Sequence, residues 1–172
     1  MTVGSEACDD SVVACEVMTD RLGTDRSGEP EPVLIERMGV SRCFGCGQAN
    51  AEGLRLVFAR WPDGTVETRH QAASHHCGLD TVVHGGIQAT ILDEVMGVAA
   101  QLALPEDSSD MACVTAEMHL VYRAPVPMAS IVVARAMIER IDGRDLYVRG
   151  TIVDPDGKAL TEATSRWRQL RR

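Results

Sequence analysis

Two features of this 172-residue chain have the residue types and spacing to do chemistry together: the run His84-Gly85-Gly86 and the carboxylates Asp93 and Glu94. The two glycines let a ligand approach the backbone closely. The helical pattern that starts at His84 puts their N–H groups at a helix N-terminus, where unpaired donors and the dipole favour negative charge. Donors so placed suit the oxyanion that develops when a carbonyl carbon is attacked. A carboxylate one or two turns along the same helix can act as nucleophile or activate a water. Each residue also has a plainer reading. His84 could simply cap the helix, Gly85-Gly86 could allow tight packing, Asp93 could pair with an arginine, and Glu94 could be a solvated or salt-bridged rim charge.

The elements that must position these groups are readable from hydrophobic periodicity. Between 84 and about 104, Ile87, Ala89, Ile91, Leu92, Val95, Met96, Val98, Ala99, Ala100, Leu102 and Ala103 leave hardly any polar face. A helix apolar all round is buried on all sides. Before it, 54–61 and 65–71 read as two strands joined by the hairpin signal Pro62-Asp63-Gly64, followed by a loop rich in Gly and His. After Pro105 and the polar stretch 106–110, four strand-like runs follow at 112–123, 130–141, 145–154 and 158–169. Short, turn-forming links join them, which predicts antiparallel neighbours. The expected fold class is α+β, a curved antiparallel sheet wrapped around one long central helix. One sheet covers only one side of such a helix, so a second subunit is expected to complete the core.

Composition narrows the function classes. The net charge of −8 argues against a polyanionic partner such as duplex DNA, and 3% aromatics cannot build a base-stacking surface. Residues 1–37 hold nine acids against three bases, a net of −6, which leaves the rest near −2. That division predicts an acidic N-terminal arm over 1–37, partly disordered, and a domain over 38–172, with 12–14 and 33–35 as apolar pieces able to dock. No apolar run approaches the roughly 20 residues of a membrane span, and the N-terminus does not read as a signal peptide. The expected compartment is the cytoplasm, where the six cysteines (8, 15, 43, 46, 77 and 113) stay mostly reduced.

The run from His84-Gly85-Gly86-Ile87-Gln88-Ala89 to Asp93-Glu94 resembles the signature of the hot-dog-fold acyl-CoA thioesterases, the PaaI-like and 4-hydroxybenzoyl-CoA thioesterase group. In that group an acid stands nine residues after the His, which is Asp93 here. The upstream Cys43-Phe44-Gly45-Cys46-Gly47, with Asn50 and Gly53-Leu54, is similar to the opening of one PaaI-like branch, and residues 114–127 resemble the strand and turn after the hot-dog helix. The likeness covers roughly 40–170.

The resemblance implies hydrolysis of an acyl-CoA or acyl-carrier thioester, by Asp93 as nucleophile or general base. The backbone donors at Gly85 and Gly86 would receive the oxyanion, and His84 would shape the helix entry. It also implies that Thr115 orients the attacking water, although a threonine is equally at home as strand filler. Basic residues near the later turns, Arg123 or Arg144 among Arg123, Arg140, Arg144 and Arg149, would hold the CoA phosphates. The loop at 77–83 lacks the carbonyl-polarising amide of some members. No cofactor is called for, since CoA is part of the substrate. Cys43-x-x-Cys46 could be half of a zinc site completed by His75, His76 or Cys77, but it is read here as a tight turn without metal.

Helical arithmetic then sets the assembly. Nine residues make 2.5 turns, a rise of about 13.5 Å and a rotation of about 180°, which turns Gly85 and Asp93 of one chain opposite ways. Antiparallel pairing of two helices would bring Gly85 of one chain beside Asp93 of the other. A homodimer, or a dimer of such dimers, is therefore expected, as the resemblance also implies. Two rivals remain: a non-hydrolytic, dehydratase-like hot-dog enzyme, whose usual His–acid motifs are not found here, and a non-catalytic acyl-CoA-binding module.

Overall fold

The computed structural model describes residues 33–35, 42–105 and 111–171, with Met111 and Arg171 described by backbone alone. The reading of 1–37 as a partly disordered arm falls, apart from 33–35, outside the described residues, as do Cys8, Cys15 and the polar loop at 106–110. Among the described residues there are nine strands, one α-helix and a 3-10 turn at Ser74–His76: β1 (Val33–Ile35), β2 (Phe58–Arg60), β3 (Val66–Gln71), β4 (Cys77–Leu79), β5 (Val82–Val83), α1 (Gly85–Leu102), β6 (Met111–Tyr122), β7 (Ile131–Asp142), β8 (Asp145–Val153) and β9 (Ala159–Arg171). Seven of them form one antiparallel sheet in the order β1-β2-β3-β7-β8-β9-β6.

Turn chemistry sets the local registers. Asp63 Oδ1 accepts the Thr65 N–H at 2.8 Å in the β2–β3 hairpin. The two-residue β7–β8 loop puts Gly143 at φ 57°, the left-handed value that such a tight hairpin needs at its first central position. The helix lies across β3, β6, β7, β8 and β9, so the sheet wraps it as expected. Ile91, Leu92, Val95 and Met96 are at most 1% exposed. Burial of each contributes about 1.5–3 kcal/mol. This is the hot-dog fold.

Two expectations need correction. The short link from β6 to β7 suggested that they pair, but β6 pairs with β9, and β7 pairs with β3 and β8. Residues 123–130 instead cross the end of the sheet over three strand spacings, about 14 Å, which eight residues span easily. Val126 C=O receives the Val83 N–H at 2.9 Å, and Thr81 C=O receives the Met128 N–H at 3.0 Å, which pins that crossing. The partners are the segment read as a plain loop: 77–83 is a two-stranded antiparallel sheet, β4 with β5. Among the described residues no helix is long and apolar enough to cross a membrane.

Candidate active site

The helix begins where the sequence placed it, and its first turn is tied down from several sides. His84 is the N-cap, with φ −56° and ψ 136°. Its Nδ1 accepts the Gly86 N–H at 2.9 Å, and its own N–H donates to His76 C=O at 2.8 Å. An imidazole that accepts at Nδ1 carries its neutral-form proton on Nε2. This cap corrects one expectation. The Gly86 N–H is spent on His84 and is not available to an oxyanion in this arrangement. The Gly85 N–H has no acceptor among the described residues. Tyr122 Oη donates to Gly85 C=O at 3.1 Å. Buried Gln88 donates from Nε2 to Val83 C=O at 2.9 Å and accepts from Thr161 Oγ1 at 2.5 Å. Tyr122, Gln88 and Thr161 were missed as positioning groups, because nothing local in a strand end or an apolar helix marks a residue as a tie.

Asp93 lies two turns on, where α1 faces the edge strand β6. Thr115 Oγ1 donates to Asp93 Oδ1 at 2.8 Å. The carboxyl is half-buried and makes no ion pair among the described residues, so the arginine-paired alternative is not what the fold builds. Burial pushes its pKa above the ordinary carboxylate value, the Thr115 hydrogen bond pulls the other way, and the negative charge of Glu94 adds to the rise. With its proton committed to Asp93, the Thr115 hydroxyl can still accept a hydrogen bond from a water through its own oxygen.

A β-bulge makes that contact compatible with the other end of the site. The β6–β9 register shifts between Thr115 and Glu117, leaving Ala116 as the extra residue. Strand side chains alternate between faces, so Thr115 and Tyr122, seven positions apart, would otherwise point to opposite faces. The inserted residue resets the alternation. Both therefore reach α1, Thr115 at Asp93 and Tyr122 at Gly85, while His119, Val121 and Arg123 face the cavity on the outer side of the sheet.

The rotation argument is corrected by the same contacts. Gly85 and Asp93 are eight residues apart, which is two turns plus about 80°, and both look toward β6. What separates them is a rise of about 12 Å along the helix, too far for both to grip one carbonyl within a chain.

The expected phosphate-holding arginines are not brought together within one chain. Arg123 N–H bonds to Leu160 C=O, whereas Arg144 C=O receives the Gln169 N–H, so the two flank opposite ends of β9, about 30 Å apart along the strand. Arg123 is paired with Glu162 at 2.6 Å and Arg149 with Glu139 at 3.6 Å, and Arg140 lies 3.4 Å over the Tyr147 ring. The cavity of about 660 Å³ beside Arg123 belongs to the outer face of the sheet and includes neither Asp93 nor Gly85.

Glu94 does not share the Asp93 environment. It turns to the loop that precedes β2, where Cys43 Sγ donates to its Oε1 at 3.0 Å. Cys43, Cys46 and Glu94 have donor atoms all within 4.8 Å of one another; His75, His76 and Cys77, the expected companions of the two thiols, are not in that group.

Comparison with known proteins gives the geometry its context. Residues 80–161 match the thioesterase superfamily. The acyl-coenzyme A thioesterase THEM4 of Mus musculus is 37% identical over 119 residues, covering 66% of this chain and 48% of that protein. The PaaI protein of the E. coli phenylacetic acid degradation operon superposes with a TM-score of 0.60 at 15% identity, covering 72% of this chain and 85% of that one. The BH2602 protein from Bacillus halodurans, solved with CoA, has a TM-score of 0.55 at 28% identity, covering 60% and 66%. The chain spans about half the length of the curated relatives it matches.

Proposed function

We propose that this chain, whose residues 80–161 form a thioesterase-superfamily domain on a hot-dog fold, hydrolyses an acyl-CoA or acyl-carrier thioester to the free acid and thiol. The observation that carries the reading is the 2.8 Å Thr115–Asp93 hydrogen bond, which fixes a half-buried carboxylate against an open sheet edge. Asp93 acts as general base, or attacks the carbonyl itself. In the first route a water held by Thr115 loses a proton to Asp93 as its oxygen bonds to the carbonyl carbon. The oxyanion is received by the N–H of Gly85 of the partner subunit. Collapse breaks the C–S bond, and the departing thiolate takes the proton back from Asp93. CoA is part of the substrate and no cofactor takes part. The mouse relative is named as an acyl-CoA thioesterase and the Bacillus halodurans neighbour was solved with CoA, which supports that substrate class.

The active unit in this reading is a homodimer, able to stack into a dimer of dimers. Its support is the 12 Å rise that parts Gly85 from Asp93, and the long edge of β6, which has a strand on one side only among the described residues and where Val114 is 42% and Tyr122 54% exposed. An unpaired strand edge of this length is a template for pairing with a second copy. The site then opens to the cytoplasm, with no nucleic acid or membrane as partner. The test is thiol release from a panel of acyl-CoA esters, with gel filtration alongside. Asp93→Asn is expected to fold and dimerise but to lose at least about a hundredfold in turnover. Near-normal turnover in that variant overturns the mechanism, and CoA-ester binding by the parent chain without thiol release replaces hydrolysis with a binding function.

A further inference from the structure

We propose that Cys43, Cys46 and Glu94 form a zinc site that clamps the loop before β2 onto the central helix. The three donor atoms lie within 4.8 Å of one another, and Cys43 Sγ is 3.0 Å from Glu94 Oε1. A tetrahedral zinc with Zn–S near 2.3 Å and Zn–O near 2.0 Å holds its ligand atoms about 3.5–3.8 Å apart, so the ion fits once these atoms shift by about an ångström. Two sulfurs and one carboxylate suit a borderline-soft ion, not magnesium or calcium, which take oxygen. Three protein ligands leave one tetrahedral corner for a water.

The surrounding backbone is built to present these groups. Gly47 N–H donates to Cys43 C=O at 3.0 Å and closes the turn that carries both thiols. Leu54 N–H to Phe44 C=O at 2.8 Å and Leu56 N–H to Gly45 C=O at 2.9 Å hold that turn against the chain entering β2. A Cβ at Gly45 would overlap the Glu94 side chain, so the glycine is what lets a helix carboxylate reach into the turn. Cys46 is buried at 4% exposure and Cys43 faces outward, which gives the ion a way in. Binding releases the two thiol protons to solvent as the Cys43–Glu94 hydrogen bond is exchanged for ligation. Its role is positional: it fastens the residue after Asp93 to a hydrogen-bonded loop, and no step of hydrolysis passes through it.

The test uses the full chain, purified under reductant, loaded with zinc or cobalt(II), and dialysed. One zinc per chain by native mass spectrometry is expected, together with a thiolate-to-cobalt charge-transfer band in the cobalt form. Cys43→Ser and Cys46→Ser should each abolish the band and the stoichiometric zinc. If either serine variant fails to fold, Glu94→Gln keeps both thiols and should weaken zinc at least tenfold, no less than the loss of an outer-shell group. Sub-stoichiometric zinc in the parent overturns the site. So does zinc retained by the serine variants, or unchanged affinity in Glu94→Gln. Thiol release by the parent enzyme is scored separately, so failure here leaves the thioesterase reading standing.

Discussion

Asp93 and Glu94 are consecutive carboxylates on one helix, yet they belong to two different regions of the molecule. A step of one residue turns an α-helix by about 100°, which carries Asp93 to the β6 seam and Glu94 to the Cys43–Cys46 turn. On the first side the partner is a neutral hydroxyl at an open sheet edge. On the second side it is a pair of thiols in a loop stitched by backbone hydrogen bonds. The first region leaves one carboxylate oxygen and an exposed edge for chemistry. The second surrounds its carboxylate with ligands that hold structure together. Adjacency in sequence therefore says little about shared work; the element each side chain meets decides its role.

The sharpest way to break that contrast is to neutralise each acid in turn. Asp93→Asn should cost at least about a hundredfold in turnover, while Glu94→Gln, which keeps the Asp93–Thr115 pair and removes only the smallest contribution to the raised Asp93 pKa, should cost less than tenfold. Equal losses would mean that the two regions act as one. The next largest effect belongs to the second region. Gly45→Ala drives a methyl into the Glu94 side chain, an overpacking that costs about 1–3 kcal/mol. That corresponds to a fall in Tm of roughly 2–12 °C for a chain of this size, read by thermal unfolding. A Tm unchanged within a degree would show that Glu94 and the turn are loosely apposed.

Much of this arrangement was legible in the sequence, and the parts that were not share a cause. The bounds of α1 and of β6 to β9 followed from periodicity and from Gly, Pro and Asp at the turns, all of them local signals. Asp93 and Thr115 were named together, but only because a family pattern places them together. The 21 residues between them carry no local sign that they meet. The pairing of β6 with β9 is decided by a crossing loop that anchors to β4 and β5, a contact between distant segments. The bulge at Ala116 has no distinguishing residue type, although it sets which face every later β6 side chain takes. Glu94 read as a rim charge because the turn that meets it lies some fifty positions upstream.

Thr115→Val sharpens the first region further. It keeps the shape of the side chain and removes the hydroxyl that meets Asp93. Loss of a hydrogen bond to a carboxylate is worth about 1.5–3 kcal/mol, so a fall in kcat of roughly ten- to a hundredfold is expected, with KM nearly unchanged. A rise in KM with kcat intact would move Thr115 from the water to the substrate.

The smallest effect tests the support beneath the helix entry. His76 is buried and its pKa lies below the usual histidine value, first because of burial and then because of the charge of neighbouring His75. Its Nδ1 accepts the Ala73 N–H at 3.1 Å, and its carbonyl holds the N–H of His84. The folded chain therefore resists protonation here more than the unfolded chain does. Above the unfolded value near 6.5 both states are neutral and His76 contributes no pH dependence. As pH falls through that value the unfolded state gains the proton first, and stability drops until the lower folded value is passed. His76→Asn supplies an oxygen in place of Nδ1 and cannot titrate, so the stability–pH curve of the variant should be flatter than the parent's in the window just below 6.5. An identical slope in both proteins would place the acid sensitivity elsewhere, and would leave the His76–His84 tie a matter of backbone geometry alone.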